Sequence, residues 1–235
     1  MTSIMMDLKE AFFDVSTKLM ENYRSVVPAN GGGPLSVIGT SGGPLIAGIS
    51  STGDGFALVQ DPMSDSGWRT NPFGPATLNA IAAVLDSADT PHIFASDGSS
   101  LLHATQTGTR PLAWSQLTPV PQIQANYGLD VLRNAGQTHV IAVGTSAVSY
   151  GVESSHAPDG FQWFENVIAL DFPARELQSV RLLPDRNNGV LIAINYSQPV
   201  GGRYPPHPPR TFCSIAALPR PGLTSPPRTC LADGR

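Results

Sequence analysis

The chain has only two cysteines, Cys213 and Cys230, so at most one disulfide is available to it. That single pair leaves both the bridge and the redox compartment open. No clustering of lysine and arginine accompanies the net charge of −4, and the electrostatic footprint of a nucleic-acid binder is therefore missing. No apolar run approaches the roughly 18 to 20 residues that span a bilayer, and no basic segment followed by an apolar stretch opens the chain. Neither a membrane span nor a secretory leader is expected, and the localisation stays unassigned. No glycine-rich phosphate loop followed by Lys and Ser or Thr occurs, which removes nucleotide chemistry.

What is abundant is glycine and proline, 23 and 22 of 235 residues, scattered between short apolar runs. That distribution favours many turns and short strands over long helices. The first 28 residues differ, because Leu8, Phe12, Val15, Leu19 and Tyr23 recur at helical steps. We read 1–28 as an amphipathic helix that either packs on its own chain or docks on a partner or a second copy. Residues 29–34 are a Gly-rich joint, 35–218 the main domain, and 219–235 a Pro-rich tail.

Within the main domain, Trp68, Trp114 and Trp163 are spaced by 46 and 49 residues, and Phe212 extends the series by 49. Other features keep this register. Apolar runs at 44–49, 92–96, 139–143 and 190–194 each precede an aromatic by about 20 residues, and earlier runs at 35–38, 80–85, 129–132 and 180–183 precede those. Third runs occupy 56–60, 101–106 and 147–152, with a proline-laden counterpart at 203–209. Turn-forming clusters such as Ser41-Gly42-Gly43 and Asp185 to Gly189 fall between first and second runs. The expected fold is all-β: four tandem blades of roughly 48 residues, each four-stranded, stacked as a β-propeller behind the N-terminal helix.

The search for chemistry is largely negative. Residues 39–45 resemble the nucleophile segment of trypsin-like serine proteases, yet no histidine precedes Ser41 and Thr40 stands where that family has aspartate. A glycine-rich hairpin is the expectation there. Ser64 to Trp68 resembles the aspartate-box turn of sialidase-like propellers, with different spacing. His92 and His139 occupy matching strand positions in separate repeats, while His103, His156 and His207 lack ligand spacing, so no metal site is expected. Asp159, Glu165 and Asp171 read as solvated loop acids. No catalytic residue and no cofactor is assigned.

The aromatic at each repeat remains. Its ordinary role is to anchor blade packing. Its functional role is to face an inter-blade groove, where Trp68, Trp114 or Trp163 could stack on a sugar while Gln60, Asp97 and Gln106 take its hydroxyls. The second repeat, 91–106 running on to Trp114-Ser115-Gln116-Leu117, resembles a repeat of the tectonin and bacterial fucose-binding propeller lectins. The third, with 139–145 and Trp163, is similar. The resemblance implies a propeller with carbohydrate bound between blades, although blades of this style also serve as platforms for protein partners. The fourth repeat departs from it in carrying Phe212 and a proline-filled third strand.

Overall fold

The computed structural model describes residues 35–232 apart from 51, 65–66, 74–76, 110–111, 171–176, 186–188, 199–209 and 218–228. The expected helix over 1–28, the joint at 29–34, His207, Asp171 and most of the Pro-rich tail lie outside these residues. Among the described residues the chain is all-β, without a helix. Seventeen strands form four antiparallel sheets.

Sheet 1 is a meander of β1 (Leu35–Thr40), β2 (Gly43–Ile49), β3 (Gly55–Gln60) and β4 (Trp68–Phe73). Sheet 2 runs through β5 (Ala80–Leu85), β6 (Pro91–Ser96), β7 (Ser100–Thr109) and β8 (Leu112–Trp114), and β9 (Thr118–Gln124) also pairs with β7. Sheet 3 comprises β10 (Gly128–Asn134), β11 (Gln137–Val143), β12 (Ala147–Glu153) and β13 (Phe161–Ala169). Sheet 4 comprises β14 (Leu177–Pro184), β15 (Val190–Gln198), β16 (Arg210–Ala217) and β17 (Thr229–Ala232).

Short turns fix these registers. Between β10 and β11, Ala135 and Gly136 have φ of 50° and 80°, so both central residues are left-handed and the turn matches the strand twist. At the β1–β2 hairpin, Thr40 Oγ1 accepts from Gly42 N at 3.2 Å and donates to the Gly43 carbonyl at 2.7 Å. Ser41 is the exposed tip of that hairpin, the turn position expected of it.

The sheets pack face to face in chain order, propeller-like, because the second strands are apolar on both sides. In β6, Ile93 and Ala95 face sheet 1 while Phe94 faces sheet 3, all buried completely. In β11, Val140 and Ala142 face sheet 2 whereas Ile141 and Val143 face sheet 4. An unbroken apolar run is thus the signature of a strand buried on both faces, and each Val, Ile or Phe side chain so buried contributes roughly 1.5–3 kcal/mol. The first strands lie side by side in the order β1, β5, β10, β14. Ser36 Oγ accepts from Ala83 N at 2.9 Å across the first of these contacts, and Asp130 Oδ2 accepts from Leu182 N at 2.7 Å across the last. Among the described residues, no packing of that extent leads from β14 back to β1.

The fourth repeat corrects one expectation. Its third strand is Arg210–Ala217, not 203–209, so Phe212 lies on a third strand opposite Tyr196 and not on a fourth strand as the tryptophans do. Pro205, Pro206, Pro208 and Pro209 lack the N–H a ladder requires, and the strand begins only after the last of them. Cys213 lies opposite Ala232, and Cys230 opposite Ile215.

Candidate functional site

Among the described residues, cavities open between neighbouring sheets at two places that bear on function. The first is a groove of about 340 Å³ where the end of β4 meets β8, lined by Asn71, Pro72, Phe73, Ala113, Trp114, Ser115 and Gln116. Phe73 and Trp114 form its aromatic floor, their ring centroids 6.1 Å apart and tilted by 51°. The Trp114 indole Nε1 is buried and has no hydrogen-bond partner among the described residues. An orphaned buried N–H costs about 1–3 kcal/mol, and because this one is closed to solvent a ligand oxygen reaches it only when the indole turns toward the groove. None of the seven lining residues is titratable.

The six residues expected at a sugar site do not converge. Trp68 is buried in an apolar cluster with Ile46, Phe56 and Leu58 on the outer face of sheet 1. Gln60 sits opposite Trp68 with its side chain over Gly43. Gln106, opposite Trp114, donates from Nε2 to the Gly108 carbonyl at 2.9 Å. Asp97 closes its own turn, accepting from Ser99 N, Ser100 N and Ser99 Oγ, each at 2.8 Å. The backbone N–H of Ser100 leads the contacts that hold the Asp97 carboxyl below its ordinary pKa. Trp163 packs over Gly151 and donates from Nε1 to Asp159 Oδ2 at 3.1 Å. Of the six, Trp114 lines this groove, and the polar neighbours it has there, Ser115 and Gln116, follow it directly in the chain.

The second cavity, about 330 Å³, opens between sheets 2 and 3 and includes Asp86, Ser87, His92, Gln137, Glu153 and Phe161 in its walls. Here the structure assembles what sequence spacing did not reveal. His92 Nδ1 lies 2.8 Å from His103 Nε2, and His92 Nε2 lies 3.2 Å from Asp86 Oδ2. The clue was the facing register: His103 pairs with Phe94 and Thr105 with His92, so both imidazoles fall on one sheet face. Burial raises the pKa of Asp86 and of Glu153, but hydrogen bonds outweigh it. For Asp86 these come from Thr90 N, His92 and Ala88 N, and for Glu153 from Ser87 and Thr138, so both carboxyls end below their ordinary values. Glu153 thereby ties β12 to the β5–β6 turn.

Burial, and then the charge of His92, push the pKa of His103 down to about 4, against a weaker upward pull from Asp159. The unfolded chain consequently binds this proton first. Stability is whole above the free imidazole value of 6.5 and is expected to fall by about 3 kcal/mol as the pH drops to about 4. Urea midpoints measured across that window check it, and a midpoint independent of pH would count against a buried neutral His103.

No protein-family model matches the chain, and no curated protein matches it. Solved structures do. AofleA from Arthrobotrys oligospora aligns over 84% of this chain and 56% of its own, at 11% identity and a TM-score of 0.50. The likeness is one of fold. The leech intramolecular trans-sialidase aligns over 64% of this chain and 26% of its own, at 16% identity and a TM-score of 0.46. An endo-1,4-beta-xylanase from Bacteroides thetaiotaomicron aligns over 85% and 75%, at 12% identity and 0.46. The chain thus spans about a quarter of the leech enzyme and a little over half of AofleA.

Proposed function

We propose that the protein is a non-catalytic carbohydrate-binding module, and that the groove between sheets 1 and 2 takes the apolar face of a sugar ring. The observation that carries this is the Trp114 indole, which offers an aromatic face together with a buried donor that has no partner among the described residues. A sugar presents both complements, a C–H face for the ring and a hydroxyl for Nε1–H, while Ser115 and Gln116 add polar capacity at the rim. The resemblance of the second and third repeats to propeller lectins points the same way. Binding is favoured over hydrolysis because glycoside cleavage ordinarily requires a pair of carboxyl groups flanking the bond, and no carboxyl group lines this groove.

The test is glycan-array binding by the full chain beside two variants. Trp114→Phe keeps an aromatic face but deletes the donor, and should weaken binding about fivefold, the worth of one hydrogen bond. Trp114→Ala removes both and should weaken it roughly thirtyfold. Silence of the folded wild-type chain across the array, or equal binding by Trp114→Ala, would reject the proposal.

A further inference from the structure

Two imidazoles are buried at the contact between sheets 2 and 3, and sugar recognition at the Trp114 groove uses neither. His92 is 5% exposed and His103 8%. Their rings lie edge to edge and nearly coplanar, with centroids 5.1 Å apart and planes within 9° of parallel; the Phe94 ring stacks on His103 at 4.6 Å, and Phe161 stands nearly perpendicular to both imidazoles. Thr105 Oγ1 stands 3.2 Å from His92 Nδ1 and 3.4 Å from His103 Nε2. At the outer end of the chain, Asp86 and His92 reach the wall of the cavity, which gives protons a path to the pair.

An N···N contact needs one N–H and one lone pair. In the neutral pair, His103 Nε2–H donates to His92 Nδ1, and His92 Nε2–H donates to Asp86. A single added proton is accommodated by the pair, since one facing nitrogen can donate while the other accepts. A second proton is not, because both facing nitrogens then carry hydrogen and two cations adjoin in a buried contact. Three charged groups bear on the pair. Asp86 reaches it from the β5–β6 turn; Asp159, from the β12–β13 loop, is committed to Trp163 Nε1 and Phe161 N; and Glu153, from β12, is committed to Ser87 and Thr138. None of the three hydrogen-bonds His103 among the described residues.

We propose that the His92–His103 pair is a proton-operated latch: closed at neutral pH, it holds the cavity wall between sheets 2 and 3, and in acid it releases. Sheet 3 supplies a built-in comparison. At the matching register His139 faces Tyr150, with Nδ1 2.6 Å from the phenol oxygen. The phenol donates to a neutral imidazole and accepts from a protonated one, so that pair never holds two cations. His103→Tyr transplants this arrangement into sheet 2 and should remove the switch while retaining a ring.

The experiment compares near-UV circular dichroism, far-UV circular dichroism and amide exchange at Ala104 in the full wild-type chain and in His103→Tyr, from about pH 7 to pH 3.5. In the wild type we expect a reversible loss of near-UV signal and at least a tenfold loss of Ala104 protection, with far-UV signal retained. The His103→Tyr chain should show neither loss. The latch is overturned by an unchanged transition in His103→Tyr, by no transition in the wild type, or by simultaneous loss of near- and far-UV signal in the wild type. Should His103→Tyr not fold, Asp86→Asn decides: without the anion that helps the closed pair hold its first proton, release should begin sooner on acidification and the midpoint should move to higher pH, and an unmoved midpoint overturns the latch.

Discussion

Truncation of Phe94 to alanine is expected to lower the free energy of unfolding by about 4 kcal/mol. Phe94 is completely buried and stands where sheets 2 and 3 meet. Its ring stacks on His103 at 4.6 Å and meets Phe161 edge-on at 5.1 Å and Trp163 at 6.2 Å. Losing it removes the transfer free energy of a phenyl group and leaves a void walled by rings whose backbones lie in two different sheets, so neither wall can close on it cheaply. Urea unfolding provides the check: the midpoint should fall with the slope unchanged. Met63, 89% exposed, supplies the contrast, because Met63→Ala should stay within about 0.5 kcal/mol of the wild type. Equal losses at the two positions would mean that the sheets do not pack as described.

Gly151→Ala is the second substitution with a large expected effect, about 2 kcal/mol of destabilisation from a single methyl group. A Cβ at Gly151 would lie 2.4 Å from Trp163 Cζ3 and 2.6 Å from Cε3. The indole has little room to retreat, since Nε1 is tied to Asp159 and Phe161 lies 6.1 Å from it between centroids. The variant should therefore unfold at lower urea and show altered tryptophan emission. By contrast, nothing lies within 4 Å of a Cβ at Gly136, so alanine there meets only the cost of a φ of +80°.

These two positions also show how much was readable from residue order. Gly151, Gln60 and Gln106 all face a tryptophan across the third and fourth strands, a register that the even spacing of the tryptophans announced. The second strands were legible because they are continuous apolar runs between turn residues, buried on both faces in sheets 1 to 3, and the first strands because they precede those runs at a regular distance. The third strand of sheet 4 was not, because spacing alone placed it within a proline-rich stretch that cannot join a ladder. β9 was missed because Pro119 and Pro121 disguise a sheet-edge strand. For the site, the tryptophan register identified Trp114 but not its setting. Trp68, Trp114 and Trp163 share a spacing and yet meet an outer apolar face, a groove and an acid-capped glycine. Those differences arise from neighbouring sheets, far away in sequence. The His92–His103 contact was hidden for a related reason, because it depends on how the β6–β7 hairpin pairs rather than on ligand-like spacing.

The most direct test of the central claim is the indole N–H spectrum of the uniformly 15N-labelled full chain during titration with L-fucose, D-galactose, D-xylose and N-acetyl-D-glucosamine in turn. The Trp114 Nε1–H resonance should move downfield with at least one sugar as the buried donor gains an oxygen, while Trp163, already bonded to Asp159, stays in place. A Trp114 resonance that stays fixed at millimolar concentrations of every sugar would contradict carbohydrate recognition at this groove.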